Sequence, residues 1–120
     1  MATTLTNKAT VTYSLLGVNL SIDSNTINFN KVVNVVTATK SVNPTAGKSG
    51  DTVTFTITVV STDVITTVVV TDALVGFTFV PGTVKIDGTT QASADPNTGI
   101  TLGGMGINVT KTITFNATVN

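Results

Sequence analysis

The chain has no cysteine, histidine, tryptophan, arginine or glutamate. Without Cys and His there is no zinc site of the usual kind, no thiol nucleophile and no imidazole base. Without Cys there is also no disulfide, so any extra durability must have another source. Charge is scarce: six Lys balance six Asp and the net charge is zero. A nucleic-acid binder carries a basic excess to neutralise phosphates, and none is present. Long apolar runs are missing too. Residues 1–8 have no apolar core, and Leu15-Leu16-Gly17-Val18 is too short to span or to target. Neither a signal peptide nor a C-terminal anchor is expected.

What is present is β-forming. The 120 residues are 41% hydrophobic and only 10% charged, enough for one domain with a core. Thr and Val dominate. Both are stiff at χ1 and suit a pleated sheet better than a helix. No window carries a helical stripe, so the expected class is all-β.

The chain is organised around Lys40 to Thr71. There Val53, Phe55, Ile57 and Val59 alternate with Thr52, Thr54, Thr56 and Thr58. Period two marks a strand with one buried and one wet face. Ser61-Thr62-Asp63 turns this strand into a second β-branched run, Val64 to Thr71, and the pair reads as a hairpin. Upstream, Ala9, Val11, Tyr13 and Leu15 share one face of a strand on which Asn7 also falls. Gly17 marks a turn, and Val18, Leu20 and Ile22 alternate after it. Thr26 to Thr39 reads as extended, with Ile27, Phe29, Val33 and Val35 as core contacts. Downstream, Phe77 to Val80 and Thr83 to Ile86 read as short strands, stopped by Pro81-Gly82 and Asp87-Gly88. Gly103-Gly104-Met105-Gly106 reads as a flexible loop. The last strand, Ile107 to Val119, puts Val109, Ile113, Phe115, Ala117 and Val119 on one face. Strands at this spacing predict an immunoglobulin-like Greek-key β-sandwich at residues 39–120. An N-terminal strand or hairpin extension with its linker precedes it, at 1–38.

From Thr39 onward the motifs resemble the DUF11 family, a repeated β-sandwich domain of prokaryotic surface proteins. The matching pieces are TKSVNP (39–44), SGDTVTFTITV (49–59), VVVTDALVGFTFVPGTVKIDG (68–88), ADPNTGITLG (94–103) and VTKTITFNATVN (109–120). Two pieces depart from the usual pattern. Leu74-Val75-Gly76 stands where the family has Leu-Pro-Gly, and Val60-Ser61-Thr62 stands where it has an Asn-containing turn. In tandem members a closing hairpin follows a motif like FNATVN. Here NKATVTY (7–13) and SNTINF (24–29) resemble that hairpin but precede the domain. The resemblance implies a sandwich one hairpin short, with an open groove and an unpaired edge. Either the chain's own N-terminus folds back to fill it, or the hairpin of one subunit completes the next. The second arrangement propagates head-to-tail into a filament. A third possibility is that the chain is a fragment of a longer array. The donor strand would carry Ala9, Val11, Tyr13 and Leu15.

Lys40 shares a face with Val42, and Asp72 shares one with Val68 and Val70. With Asn7, three polar groups are thus expected to point inward, where unpaired charge is costly. Similar surface sandwiches join such a Lys to an Asn by an isopeptide bond. By that resemblance Lys40 is the nucleophile, Asn7 the electrophile and Asp72 the acid that moves protons. Burial disfavours charge, so an amine in such a site can be neutral and its acid protonated. The plainer reading is a buried Lys40–Asp72 ion pair hydrogen-bonded to Asn7. Asn116 is a rival electrophile, although its parity puts it on the polar face. Lys111 is a rival nucleophile or a rim residue.

Weaker signals have ordinary explanations. Asn108 and Asn116 sit in glycosylation sequons, which are frequent by chance in a Thr-rich chain. Asp87, Asp95 and Asn97 lack the spacing of a calcium loop and suit turns. No metal, cofactor, nucleic acid, membrane insertion or small-molecule substrate is expected, and no enzyme activity beyond the self-directed amide chemistry. The expected partner is the chain itself, in an extracellular filament on a cell or spore surface. The alternative is a monomeric adhesion or binding module.

Overall fold

The computed structural model describes residues 2–120, in two compact units, 2–34 and 35–120. The N-terminal unit contains four strands: β1 (Ala2–Asn7), β2 (Thr10–Leu15), β3 (Val18–Asp23) and β4 (Ile27–Val32). β2 pairs with β3 and β1 with β4, both antiparallel. Together they form one long hairpin, broken at Lys8-Ala9 on one side and at residues 24–26 on the other. At the tip Leu16 (φ 52°) and Gly17 (φ 82°) both take left-handed conformations. That matches the two-residue turn whose twist suits a hairpin. At the break Ser24 N donates to Ala9 O (2.8 Å), and Ala9 N donates to Ser24 Oγ (2.9 Å).

The second unit is an all-β sandwich. Its strands are β5 (Val36–Asn43), β6 (Thr52–Ser61), β7 (Ile65–Val70), β8 (Phe77–Phe79), β9 (Lys85–Ile86), β10 (Thr89–Thr90), β11 (Ile100–Met105) and β12 (Val109–Val119). One sheet runs β10-β9-β12-β6-β5, with β8 also on β12; the other is β11-β7. β6 and β12 form its centre. Phe55 faces Phe115 and Ile57 faces Ile113 in register. Their inward side chains are buried, together with Val84, Ile100, Leu102 and Met105. The even positions turn Thr ladders outward, Thr56 against Thr114 and Thr58 against Thr112. Phe55, Phe77, Phe79 and Phe115 meet in tilted and edge-on contacts at 5.0–6.0 Å. Asp87 (φ 49°) and Gly88 (φ 84°) make the tight turn between β9 and β10 expected of an Asp-Gly pair.

Three details differ from the sequence reading. Gly103-Gly104-Met105 is not a flexible loop. It completes β11, with register shifts against β7 that return Met105 to the core. The first strand of the sandwich begins three residues earlier than expected, because β5 already pairs Val36 with Ser61. Ile27, Phe29 and Val33 are exposed rather than core. Every described residue of the N-terminal unit is exposed, because a lone two-stranded ladder has no second layer to bury its apolar side.

Candidate functional site

Two surfaces stand out, one in each unit. The first is the apolar side of the hairpin. Period two and the register Val11↔Ile22, Tyr13↔Leu20 and Leu15↔Val18 place six apolar side chains on one side of β2–β3. The other side is polar throughout: Thr10 with Asp23, Thr12 with Ser21, Ser14 with Asn19. The β1–β4 ladder continues the pattern in part, with Leu5↔Phe29 and Asn7↔Ile27 on one side and the polar pair Thr3↔Lys31 on that same side at the base. Asn7 is thus the polar member of an apolar group, as its parity implied. The register adds Leu5 and Phe29, which sequence reading left out of the donor surface. Phe29 is 61% exposed and Tyr13 49%. Lys8 and Asp23 close the hairpin's waist at 2.7 Å. The Lys8 ammonium, then the Thr10 hydroxyl, hold the Asp23 carboxyl below the usual carboxylate range.

The second surface is the uncovered part of the sandwich. β5 is an edge strand, bonded among the described residues to β6 alone. Register places Ala38, Lys40 and Val42 on the same side as Val59, Ile57 and Phe55, facing inward. Yet Val36, Ala38 and Lys40 are exposed, because the two-stranded sheet opposite does not reach over them. β7 bonds to β11 on one edge; among the described residues nothing pairs with its other edge. Along that edge Thr67 adopts φ 57°, a conformation β-branched residues rarely take. Two residues, Thr66 and Thr67, there oppose one on β11, which is a bulge. The bulge lets both Ile65 and Val68 lean inward, three positions apart, and sets Val70 and Asp72 on that side by alternation.

Lys40 and Asp72 meet as the sequence implied. Lys40 Nζ lies 2.5 Å from Asp72 Oδ2 and 4.6 Å from the centre of the Phe55 ring. The Asp72 side chain is 15% exposed, the Lys40 side chain 42%. The contact is ionic and off-axis: Asp72 Oδ2 is buried, yet no directed hydrogen bond reaches it. The backbone is fixed where Asp72 N donates to Pro96 O (2.7 Å). An ion pair resting on an aromatic face and half open to solvent remains accessible to a third group. One end of the same surface is an apolar cleft lined by Val42, Pro44, Ala46, Val53, Phe77 and Val119. No sequence signal pointed to it, because its walls come from four separate segments.

The rival residues are engaged elsewhere. Lys111 Nζ donates to Leu102 O (3.0 Å), a tie between the two sheets. Asn116 lies opposite Thr54 on the outer side and its Oδ1 accepts from Thr54 Oγ1 (3.0 Å). Asn7 belongs to the N-terminal unit. The turn residues do turn work: Asp95 Oδ1 accepts from Asn97 N (2.8 Å) and Asp87 Oδ1 from Thr112 N (2.9 Å). Among the described residues no cluster of three acids or other ligands could hold a metal ion.

No family model, no curated protein and no solved structure matches the chain.

Proposed function

We propose that this chain is a structural subunit that polymerises head-to-tail by strand complementation into an extracellular filament. The observation that carries the reading is complementarity within one sequence. A hairpin exposes an apolar side, and among the described residues a sandwich leaves part of its inner face exposed and a strand edge unpaired. Isolated two-stranded hairpins are at best marginal in water, so this one gains most of its stability from a second layer. An exposed, unpaired strand edge is the place where an extra strand adds. The hairpin of one copy supplies both to the next. The DUF11-like motifs support placement on a cell or spore surface, by analogy of fold alone.

The junction can also be locked. When the Asn7 carboxamide reaches Lys40, the Lys40 Nζ–Asn7 Cγ bond forms and the Asn7 Cγ–Nδ2 bond breaks. Protons from the amine pass through the Asp72 carboxyl to the departing nitrogen, and one ammonia leaves. The products balance without oxidant or cofactor. Asp72 acts here as acid and base toward the reacting atoms.

Intact mass under fully denaturing conditions, with electron micrographs of the same sample, tests both parts. A ladder of multiples, lighter by one ammonia per junction, supports filament and lock together. Filaments that dissolve to unmodified monomer mass support complementation and remove the lock. Monomer lighter by one ammonia, without filaments, would mean that each chain closes on itself. Dispersed monomer of unmodified mass at all concentrations would sink the reading.

A further inference from the structure

We infer that the junction has one register, set by a polar mark on each apolar surface. The inference rests on the strand-complementation reading and specifies its geometry. Between Leu5 and Leu15 along β1 and β2, the polar interruption of the hairpin's apolar side is Asn7; Thr3 and Lys31 lie on the same side beyond Leu5, at the open base. On the uncovered inner face of the sandwich it is the Lys40–Asp72 pair. Covering either mark with hydrocarbon would strand a buried polar group, whereas facing them together satisfies both. The Asn7 carboxamide has a carbonyl oxygen for the Lys40 ammonium and an N–H for Asp72 Oδ2, which is ion-paired to Lys40 but receives no directed hydrogen bond.

This match fixes direction. β5 and β7 both run from the Val36/Ile65 end to the Asn43/Asp72 end, since Val36 pairs with Ser61 just before β7 begins. Asn7 sits toward the hairpin's open base, so placing it at Asp72 sends the Leu16-Gly17 tip toward Ile65. β1 and β2 then run antiparallel to β7 along its free edge. β4 lies over β5.

The spacing gives an independent check. Leu5 and Phe29 are two residues from Asn7 and Ile27 toward the base. Val42 is two residues from Lys40 in the same sense. At ~3.3 Å per residue both steps are about 7 Å. The aromatic side chain of Phe29 thus enters the apolar cleft of Val42, Pro44, Val53, Phe77 and Val119 of the next copy. Polar mark on polar mark, and ring in cleft, occur in one register. Reversing the hairpin would carry Phe29 to the Val36 end and leave Asn7 on hydrocarbon.

The absence of cysteine makes the test clean. Phe29→Cys protein is co-assembled with Val42→Cys protein, oxidised, and run denatured without reductant. A cross-link that reductant removes is expected, and no reductant-sensitive cross-link when Val36→Cys replaces Val42→Cys, because Cβ atoms must come within ~4 Å. Filaments that cross-link through Val36→Cys, or through neither site, would overturn this register while leaving strand complementation intact. Absence of filaments from wild type would remove both. A second variant covers loss of assembly caused by the thiols themselves. Asn7→Leu should raise the critical concentration about tenfold or more, because it leaves the pair buried and unmet, whereas Thr6→Leu on the opposite side should not. Equal effects of the two would also overturn the register.

Discussion

Thr67 shows how one strained residue positions a functional group. Its left-handed backbone costs a β-branched side chain about 1–2 kcal/mol. What the strain secures is parity: without the bulge, a strand starting with Ile65 inward would turn Val68, Val70 and Asp72 outward. Asn tolerates the same conformation better, so Thr67→Asn should stabilise the sandwich by roughly 0.5–1 kcal/mol. A urea titration would show it as a raised midpoint at constant slope. A lowered midpoint would mean the threonine side chain has a role that compensates. Asp72 separates stability from chemistry at the same scale. Lys40 is nearly half exposed, so solvent screens the pair and the lysine can turn to water when its partner is lost. Asp72→Asn should therefore shift the stability of the free subunit by less than about 1 kcal/mol. It should nevertheless abolish ammonia loss at the junction, read by intact mass.

At the scale of elements, the hairpin's waist is its pH-sensitive feature. Lys8 and Thr10 depress the Asp23 carboxyl relative to an unfolded aspartate. A depressed acid stabilises the ordered hairpin above the unfolded value, and that contribution is lost as pH falls through the folded value. The window lies below pH ~4. NMR titration of Asp23 should give a midpoint below that of an exposed aspartate, and Asp23→Asn should loosen the waist at neutral pH but not at pH ~2. An unshifted midpoint would remove the clasp. The elements also show where the sequence was readable. Strict alternation placed β2, β3, β6 and β12, and it put Lys40, Asp72 and Asn7 on the apolar sides of their strands. It failed where a bulge breaks period two: Gly103-Gly104 looked like a loop because glycines carry no side-chain pattern, although register shifts keep that strand paired. It also failed for Ile27 and Phe29. Alternation says which side is apolar but not whether anything covers it. The cleft was invisible for a related reason: Val42, Val53, Phe77 and Val119 come together only through strand order.

For the whole molecule, a donor at one place and an acceptor at another make the contact heterologous, and heterologous contacts give chains with two unlike ends. That polarity can be tested without resolving a filament. A donor-dead variant, Tyr13→Asp with Leu20→Asp, puts charge on the hairpin's apolar side but leaves the sandwich intact. It can still receive one hairpin. An acceptor-dead variant, Val36→Asp, puts charge on the inner face of β5, where the side chain is 39% exposed and the fold tolerates it. It can still donate. Each variant alone should remain monomeric, and a mixture should stop at one-to-one dimers. Traces of donor-dead protein added to wild type should shorten filaments by capping a single end. Light scattering and mass photometry read these sizes directly. Burying a carboxylate against hydrocarbon is costly enough that either charge should suppress its own junction by several orders of magnitude in affinity. A contact made by one self-complementary patch would behave differently. In an isologous contact each copy presents the same residues, so mixing two defective variants would rescue nothing. Dimers from the mixture, and from neither variant alone, are therefore the expected signature of a hairpin entering the groove of the next copy.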